Sequence, residues 1–259
     1  MTPPTPTITV EVDLTNPGQF LACCGLLELA SRLDPEALGW FDENRFHVAL
    51  AGPELWDALL RSTCIAFKDG SDASGGGGDP EAKSPPVAFG DPFHLVLDWW
   101  TDDAATRAGF KTWSGGQTVI GFIDGMRRHI AGHINEPRGL FAVMPLRKPK
   151  PFYFDSRISR LTSLDLGFSA EGFTTAFSPA VELLALIGMQ RFRPRTVIER
   201  EHYTFATWNT LLPVCIAAAV AAGVIPTLID RSYQFPLVFR TGGKYKAFGP
   251  GTLERSLHA

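Results

Sequence analysis

Cysteine is scarce in this sequence, and its spacing argues against the common structural uses of thiols. The four cysteines are Cys23, Cys24, Cys64 and Cys215, and no two of them form a C-x-x-C pair. Cys23 and Cys24 are adjacent in an apolar segment, and no signal-peptide pattern precedes them. We therefore expect a cytoplasmic protein with buried, reduced thiols instead of disulfides or zinc ligands.

Several catalytic motifs are also missing. No serine lies in a nucleophile-elbow context, and the glycine run in residues 68–90 is not followed by the Gly-Lys-Ser/Thr of a phosphate-binding loop. Cys23 and Cys24 have no adjacent cation that would lower a thiol pKa. Asp102 and Asp103 are typical of solvated capping residues in a turn. We therefore predict that the protein is not an enzyme and uses no cofactor.

One long segment, residues 204–229, lacks charge and is the only candidate membrane span that the sequence offers. It contains Pro213 and Pro226, and its middle is rich in alanine, which is weakly hydrophobic. The helix between the prolines is shorter than the roughly 20 residues that a bilayer requires. The segment therefore predicts a buried core helix and no membrane contact.

The distribution of charge is uneven. Residues 1–110 contain 17 acidic and 6 basic residues, whereas residues 111–259 contain 10 acidic and 18 basic residues. A locally basic half can bind a polyanion although the whole chain has a net charge of −3. The acidic half could instead face a basic protein partner. With 259 residues, 45% of them hydrophobic, the chain is long enough to bury a full core.

The first 68 residues predict a compact α+β unit. Residues 7–14 alternate apolar and polar side chains as a strand does, and a helix from Pro17 to about Leu33 follows. A hairpin at 40–50, a short helix at 53–60 and a strand at 64–67 complete the order β-α-β-β-α-β. This order is typical of ferredoxin-like units, which RNA-recognition modules share, so we predict a ferredoxin-like unit at 1–68. The aromatic signature of ordinary RNA-recognition domains is missing, so the order alone predicts no RNA binding.

Residues 69–90 are rich in Gly, Ser, Asp and Pro, which predicts a flexible linker or loop. Residues 91–259 then predict a second, elaborated and basic α+β unit. Its expected elements are a strand at 93–100, a loop at 110–117 leading into a helix to about 133, strands at 152–158 and 163–168, a helix at 178–192, a strand at 201–207, the Ala-rich helix, and a terminal hairpin at 234–248 that turns at 241–244.

Two helical segments resemble each other, residues 16–29 (NPGQFLACCGLLEL) and 178–192 (SPAVELLALIGMQRF). Each begins with a capping side chain followed by proline. Gly25 and Gly188 occupy matching mid-helix positions, where glycine costs about 1 kcal/mol relative to alanine, so we expect each to pack against a neighbouring backbone. The similarity indicates a duplicated unit, although a chance match remains open. The matching residues are Leu21 with Leu184, Ala22 with Ala185, and Gly25 with Gly188.

The loop at 110–117 (FKTWSGGQ) is a candidate nucleic-acid contact. Lys111 and free backbone N–H groups could hold a phosphate, Trp113 could stack on a base, and Gln117 could read a base edge. A tight turn around a buried tryptophan is the alternative. Asn16 is added to this set on the chemistry of its side chain alone.

The densest basic segment lies around MPLRKPKPF, where prolines keep the backbone extended. An extended strip of cations suits a phosphate backbone, although surface lysines and arginines are often only solvated. A second basic cluster (QRFRPR) follows the helix at 178–192. The predicted contacts are Arg127, Arg128, Arg138, Arg147, Lys148, Lys150, Arg191, Arg193 and Arg195.

His129, His133 and Glu136 have the spacing of one helical face, which could hold a metal ion. The glutamate that follows the first histidine in catalytic zinc helices is absent. We therefore expect no metal site.

Three segments together resemble a CRISPR-associated family. They are residues 16–33 (NPGQFLACCGLLELASRL), 111–118 (KTWSGGQT) and 177–194 (FSPAVELLALIGMQRFRP), in that order. The sequence is similar to the short, large-subunit-like protein of type I-U (also called I-G) Cascade complexes. The resemblance covers roughly residues 7–248, and the glycine-rich residues 70–86 match no part of it.

The resemblance implies a non-catalytic subunit of a guide-RNA surveillance complex in antiviral defence. Large-subunit-like components lie at the 5′ end of the guide, recognise a short motif beside the target, help to open the duplex, and recruit the helicase–nuclease. The implied partners are guide RNA, target double-stranded DNA, the other Cascade subunits and, transiently, that helicase–nuclease. Base pairing would then supply sequence specificity and the protein would bind backbones.

Two enzymatic alternatives stay open. One is a metal-independent ribonuclease that processes guide RNA on the same kind of fold. The other is a small-molecule enzyme that uses the loop at 113–117 as an anion site. The candidate general bases of the ribonuclease are His47, His94, His129, His133 and His202.

Overall fold

The structure is a computed structural model, and it confirms a mixed α+β fold with several antiparallel sheets. Among the described residues the sheets have four, five, three and two strands. The described residues are 4–52, 54–67, 84–101, 109–113, 118–131, 139–148, 150–161, 175–198, 202–240 and 245–256.

The predicted β-α-β-β-α-β order is observed in the N-terminal part. Three of its strands lie side by side in the order β1 (Ile8–Glu11), β3 (Arg45–Ala49), β2 (Leu38–Asp42), and a later strand, β11 (Leu212–Pro213), extends this sheet beyond β2. The fourth strand, β4 (Cys64–Ala66), pairs with β5 (Val87–Phe89) in a separate three-stranded sheet instead of joining β1. The elements are β1 (Ile8–Glu11), α1 (Pro17–Leu33), β2 (Leu38–Asp42), β3 (Arg45–Ala49), α2 (Leu55–Arg61) and β4 (Cys64–Ala66).

The end of the predicted linker is a strand. Val87–Phe89 form β5, which pairs with β4 on one side and with β6 (Leu95–Leu97) on the other. The surrounding Gly, Ser and Pro composition conceals this run, in which Val87 and Phe89 are buried. Residues 68–83 lie outside the described residues. The strand predicted at 93–100 is shorter than expected, because Trp99–Thr101 turn as a 3-10 helix.

The remaining elements follow the prediction with one clear error. Residues 152–158 are not a strand, because Asp155 accepts a hydrogen bond from the Arg157 N–H at 3.1 Å and starts a helix at Ser156. The strand predicted at 163–168 lies outside the described residues. The elements are α3 (Val119–Ala131), β7 (Met144–Leu146), α4 (Ser156–Leu161), β8 (Thr175–Phe177), α5 (Pro179–Gly188), β9 (Arg195–Ile198) and β10 (His202–Thr207).

The C-terminal part completes the five-stranded sheet. Its order is β13-β12-β10-β9, with β14 also paired to β12. The predicted terminal hairpin is confirmed by the pairing of β12 with β13, and its turn at 241–244 is outside the described residues. The elements are β11 (Leu212–Pro213), α6 (Val214–Ala221), β12 (Arg231–Arg240), β13 (Tyr245–Phe248) and β14 (Thr252–Ser256).

The two similar helices, α1 and α5, pack directly on each other. A Cβ atom added at Gly25 would lie 2.0 Å from the Leu184 carbonyl oxygen, and one added at Gly188 would lie 2.2 Å from the Leu21 carbonyl oxygen. Close packing at both glycines is therefore confirmed, and each helix supplies the backbone that the other glycine meets. This reciprocity between aligned positions supports the duplication hypothesis. We call this contact the glycine seam.

Both helix starts are capped as the sequence predicts. The Asn16 side chain accepts from the N–H groups of Gly18 and Gln19, and the Ser178 hydroxyl accepts from the Val181 N–H. Proline follows each cap at the first helical position. The residues that begin the helices therefore satisfy backbone donors that burial would otherwise leave unpaired.

One hydrophobic core joins the N-terminal and C-terminal parts. The ring of Phe20 stacks on Phe205 with centroids 4.0 Å apart, and the Trp208 indole N–H donates to the Gly39 carbonyl at 2.8 Å. The Ala-rich helix α6 covers part of this core and buries Ala217 and Val220. None of the helices in the described part of the chain combines the length and apolar character of a membrane crossing.

Candidate nucleic-acid interface

An open groove runs between helix α3 and the strip that follows β7. Its volume is about 620 Å³. The strip consists of Arg147, Lys148 and Lys150, and both the helix and the strip contribute residues to the lining. We call it the basic groove, and its lining residues are Thr118, Gly121, Phe122, Gly125, Arg128, His129, Lys148 and Lys150.

Helix α3 is amphipathic, and this fixes the direction of its groove face. Ile123, Met126 and Ile130 are buried at helical spacing. Arg128 and Gly121 are exposed, seven residues or about two helical turns apart, and Gly125, which lies three residues before Arg128, is buried. Packing of the apolar stripe therefore leaves Arg128 and Gly121 on the exposed side of the helix.

The strip is held extended at its start by strand pairing. Met144 and Leu146 of β7 pair with Phe177 and Thr175 of β8. Arg147 and Lys148 follow this strand and are exposed. Of the segment predicted to be extended and basic, Met144–Leu146 form a strand, whereas Arg147 and Lys148 lie in a bend.

The basic groove is lined by basic side chains and by no acidic ones. All four titratable residues in its lining are basic: Arg128, His129, Lys148 and Lys150. Within the described ranges, Arg128, Arg147 and Lys148 form no ion pair with a carboxylate. Their charges are therefore available to an external anion.

The strip is anchored at its far end by buried groups. The Thr112 hydroxyl donates to the Phe152 carbonyl, and the Glu182 carboxyl accepts from the N–H groups of Phe154 at 3.3 Å and Asp155 at 2.9 Å. Removal from water raises the pKa of Glu182 to about 8, the nearby Asp155 carboxyl adds to this rise, and the backbone donors oppose it. Glu182 is therefore largely a neutral acid at neutral pH.

Asn16 is part of this interior and not of the basic groove. It is 1% exposed, and its amide N–H donates to Asp155 Oδ1 at 2.7 Å. Its oxygen caps α1 and also accepts from the Ser156 N–H at 3.2 Å. Asp155 is in turn paired with Arg157 at 2.6 Å. Both the N–H group and the oxygen of the Asn16 amide thus have partners inside the protein. The geometry therefore does not support our prediction that Asn16 contacts nucleic acid.

The tryptophan of the loop before α3 is buried, as the alternative interpretation of its sequence predicted. Trp113 is 6% exposed, packs edge-on against Trp99 and Trp100, and directs its indole N–H to the Ser84 hydroxyl at 3.3 Å. The Lys111 ammonium lies 5.9 Å from the Trp113 ring centroid. The ring of Trp113 is therefore not available for base stacking in this conformation, and Gln117 lies outside the described residues.

Two predicted arginines serve the interior instead of the surface. Arg127 donates to the carbonyls of Leu60 and Ser62 at 2.6 Å each, which satisfies the end of α2. Arg191 pairs with the buried Glu28 at 2.5 Å and so ties the end of α5 to α1. Their local sequence gives no sign of these distant partners.

The other predicted cations lie elsewhere. Arg193 and Arg195 are exposed at the start of β9, and neither lines the basic groove. Arg193 has an interaction within the protein. Arg138 lies outside the described residues. Of the predicted contacts that the structure describes, Arg128, Lys148 and Lys150 line the basic groove, with Arg147 beside them on the strip, and Lys150 also has an interaction within the protein.

No cluster that could hold a metal ion occurs among the described residues. His129 is on the lining of the basic groove, whereas His133 and Glu136 are outside the part of the chain that the structure describes. The thiols of Cys23 and Cys24 are fully buried, and burial raises the pKa of both. Neither is therefore suited to act as a nucleophile.

Sequence reasoning missed Gly121 and Glu182. Gly121 is exposed at the third position of α3, and among the described residues an added Cβ would meet the Thr118 hydroxyl at 3.0 Å. An exposed glycine in the first turn of a helix, seven residues before Arg128, is a signal that could have indicated this surface. Glu182 lies within an apolar helix, so its burial could have been predicted from the sequence. Its hydrogen-bond partners, however, come from a distant segment.

A second groove, of about 680 Å³, lies at β1 and β3 in the acidic half. Glu11, Asp13 and Glu43 line it, together with Arg45 and Arg157. Its charges are mixed, in contrast to the basic groove.

Comparisons of this chain with protein-family models, with curated proteins and with solved structures find no match.

Proposed function

We propose that the protein is a non-catalytic, nucleic-acid-binding subunit of a type I CRISPR guide-RNA surveillance complex. The observation that carries the proposal is the basic groove, in which Arg128, Lys148 and Lys150 line one open surface. Several cations on one open surface suit the phosphates of a nucleic-acid backbone.

The choice of this particular complex comes from the resemblance of residues 16–33, 111–118 and 177–194. Two of these segments contain the helices of the glycine seam, so they account for the core of the protein. The same resemblance supports a role in recognising the motif that flanks the target and in recruiting the helicase–nuclease. The partners are guide RNA, target DNA and neighbouring protein subunits.

The charge distribution supports a division of labour within such a complex. Residues 111–259 carry the basic groove and a net positive charge, and residues 1–110 carry the excess of carboxylates. The basic part would face nucleic acid, and the acidic part would face basic protein neighbours.

Coexpression of the full chain with the proteins encoded beside it and with a guide RNA tests this proposal. We expect the chain to elute in a large particle whose absorbance is dominated by RNA. The double variant Arg128→Glu/Lys148→Glu should bind less RNA or target DNA, whereas Arg61→Glu, at an exposed position on α2, should not. A chain that elutes alone and free of RNA in every case contradicts the proposal.

A guide-RNA-processing ribonuclease is the second candidate, because His129 lines the same groove as the three cations. A histidine could remove the 2′-hydroxyl proton while a neighbouring cation stabilises the charge of the transition state. Incubation of the pure protein with repeat RNA and a chelator separates the two functions. Specific cleavage that His129→Ala abolishes supports the nuclease, and intact RNA supports the binding subunit.

A further inference from the structure

A third pocket lies where the chain leaves α5 and passes α1 and β6, and it shares no lining residue with the basic groove. Its volume is about 390 Å³. Two arginines and one glutamate are its charged residues, so the lining carries one net positive charge while its histidine is neutral. We call it the arginine pocket, and its lining residues are Glu28, Arg32, His94, Leu95, Val96, Gln190 and Arg191.

The buried glutamate of this pocket needs only one of the two arginines. Glu28 is fully buried, and Arg191 spans its carboxylate, with Nε donating to Oε2 at 2.5 Å and Nη2 to Oε1 at 3.3 Å. Both carboxylate oxygens therefore have a donor from Arg191 alone. Arg32 adds two hydrogen bonds to Oε1, from Nε at 3.0 Å and from Nη2 at 2.9 Å. The second arginine thus brings a positive charge that Glu28 does not balance.

The two guanidinium groups are held together and keep further donors. Because the Nη2 atoms of Arg32 and Arg191 bond the same oxygen of Glu28, the buried carboxylate fixes both groups beside each other. The two side chains are still 33% and 35% exposed. Arg32 Nη1 has only a long contact of 3.4 Å with the His94 carbonyl, and Arg191 Nη1 has no acceptor within the described ranges. An anion that enters the pocket meets donors that are already oriented.

The two carboxylates nearest to this pocket along the chain have other partners. Asp98 accepts a hydrogen bond from Gln190 Nε2 at 2.7 Å, and Asp91 Oδ1 lies 3.5 Å from His94 Nε2. Neither aspartate is part of the lining. The positive charge of the pocket is therefore not cancelled by these groups.

We propose that the arginine pocket binds a phosphate group, free or carried by a small molecule, with Arg32 and Arg191 donating to its oxygens. A phosphate has oxygens in several directions, so it accepts from two guanidinium groups at once and supplies the negative charge that the lining lacks. The volume suits a small ligand, and Val96, which is 41% exposed, offers an apolar contact to its organic part. The inference does not depend on the proposed nucleic-acid-binding function.

Equilibrium dialysis of the purified full chain against radiolabelled inorganic phosphate or adenosine monophosphate tests the pocket, with ionic strength kept constant by chloride. The basic groove is a competing phosphate site, so the same measurement is made on the variant Arg128→Glu/Lys148→Glu. We expect saturable binding in both proteins. Tighter binding of the nucleotide than of phosphate identifies a phosphorylated small molecule as the ligand, and equal or weaker binding of the nucleotide identifies free phosphate.

Two variants probe the arginines themselves. Arg32→Gln removes the unbalanced charge while Arg191 still satisfies Glu28, and Arg191→Lys keeps a charge beside Glu28 but removes the guanidinium donors. Each should weaken phosphate binding about tenfold. The matched control is Arg61→Gln, because Arg61 is also paired with a carboxylate four residues before it on a helix and lines none of these pockets. It should leave the affinity unchanged, and circular dichroism should report intact folding of all three variants.

The outcomes separate the arginine pocket from the basic groove. Phosphate binding that survives in Arg128→Glu/Lys148→Glu and is weakened in Arg32→Gln supports the pocket. Binding that is lost in the first variant and unchanged in the second belongs to the basic groove and overturns the inference. The absence of saturable binding of both phosphate and the nucleotide also overturns it, and neither result bears on the assembly of the chain with guide RNA.

Discussion

The glycine seam and the basic groove use glycine on helices for opposite reasons. At the seam, Gly25 and Gly188 allow two backbones to meet, and a Cβ atom would lie within 2.2 Å of a carbonyl oxygen at either position. In the groove, Gly121 is exposed, and among the described residues an added Cβ would meet a side-chain hydroxyl, that of Thr118, instead of a carbonyl of another helix. The seam is filled by the protein itself, and the groove is left unfilled.

The arginines make the same distinction. Arg191 beside the seam is held by the buried Glu28, whereas Arg128 in the groove has no carboxylate partner among the described residues. Residue type alone does not separate structural from binding residues in this chain. What separates them is the group that each side chain contacts in the folded protein.

The largest effect is expected at the seam. Gly25→Ala and Gly188→Ala should each lower the free energy of unfolding by about 3 kcal/mol or more, because the new methyl group overlaps a backbone carbonyl that cannot rotate away. Urea denaturation followed by circular dichroism measures this. If both variants unfold at the midpoint of the parent protein, the close approach of α1 and α5 is wrong.

A pH-dependent effect should come from the interior next to the seam. The pKa of Glu182 is about 8 in the folded protein and near 4.5 when the chain is unfolded, so folding takes up a proton between these values. The contribution of Glu182 to stability should therefore be fully present below about pH 4.5 and fall by about 1 kcal/mol per pH unit as the pH rises from about 5 to about 8.

Denaturation curves at several pH values check this expectation in the parent protein and in Glu182→Gln. The neutral amide cannot titrate, so the variant should lose this part of the slope even if its absolute stability is lower. The control is Glu54→Gln, at an exposed position. Identical slopes for parent and Glu182→Gln would rule out proton uptake at this site.

A smaller difference should separate two arginines. Arg191→Ala removes a partner of the buried Glu28 and should cost about 1 to 2 kcal/mol of stability, since Arg32 still pairs with that carboxylate. Arg128→Ala should change stability by less than about 0.5 kcal/mol. RNA affinity should instead fall for Arg128→Ala and stay unchanged for Arg191→Ala. Equal loss of affinity in both variants would place Arg191 in the interface after all.

The smallest effect is a gain. Gly121→Ala should raise the free energy of unfolding by less than about 0.5 kcal/mol, because the gain in helix propensity is partly offset by the contact of the methyl group with the Thr118 hydroxyl at 3.0 Å. Thermal denaturation measures the shift. A clear loss of stability would mean that Gly121 has a packing role like that of Gly25.

Local patterns predicted the seam well. Capping residues followed by proline defined the starts of α1 and α5, and the mid-helix glycines indicated close backbone contact at Gly25 and Gly188. These signals act within a few residues of the chain, so one sequence is enough to read them. The strand predicted at 152–158 failed because a single Asp155 cap outweighed the β propensity of its aromatic neighbours.

The candidate site was predicted only in part. Composition located the strip with Lys148 and Lys150, but it could not separate Arg128 from Arg127, which are neighbours that point to different surroundings. Trp113 and Asn16 have chemistry suited to nucleic acid, and their burial depends on contacts with residues far along the chain. Such contacts are set by tertiary packing, which no local pattern encodes.

The salt dependence of oligouridine binding tests the central claim most directly, namely that Arg128, Lys148 and Lys150 are a phosphate-binding surface. Three phosphate contacts predict a slope of about −2 for the logarithm of the binding constant against the logarithm of salt concentration, and Lys148→Ala should reduce its magnitude by about 0.7. The exposed Arg61→Ala should leave the slope unchanged. A slope that is the same in the parent protein, Lys148→Ala and Arg128→Ala would contradict the account.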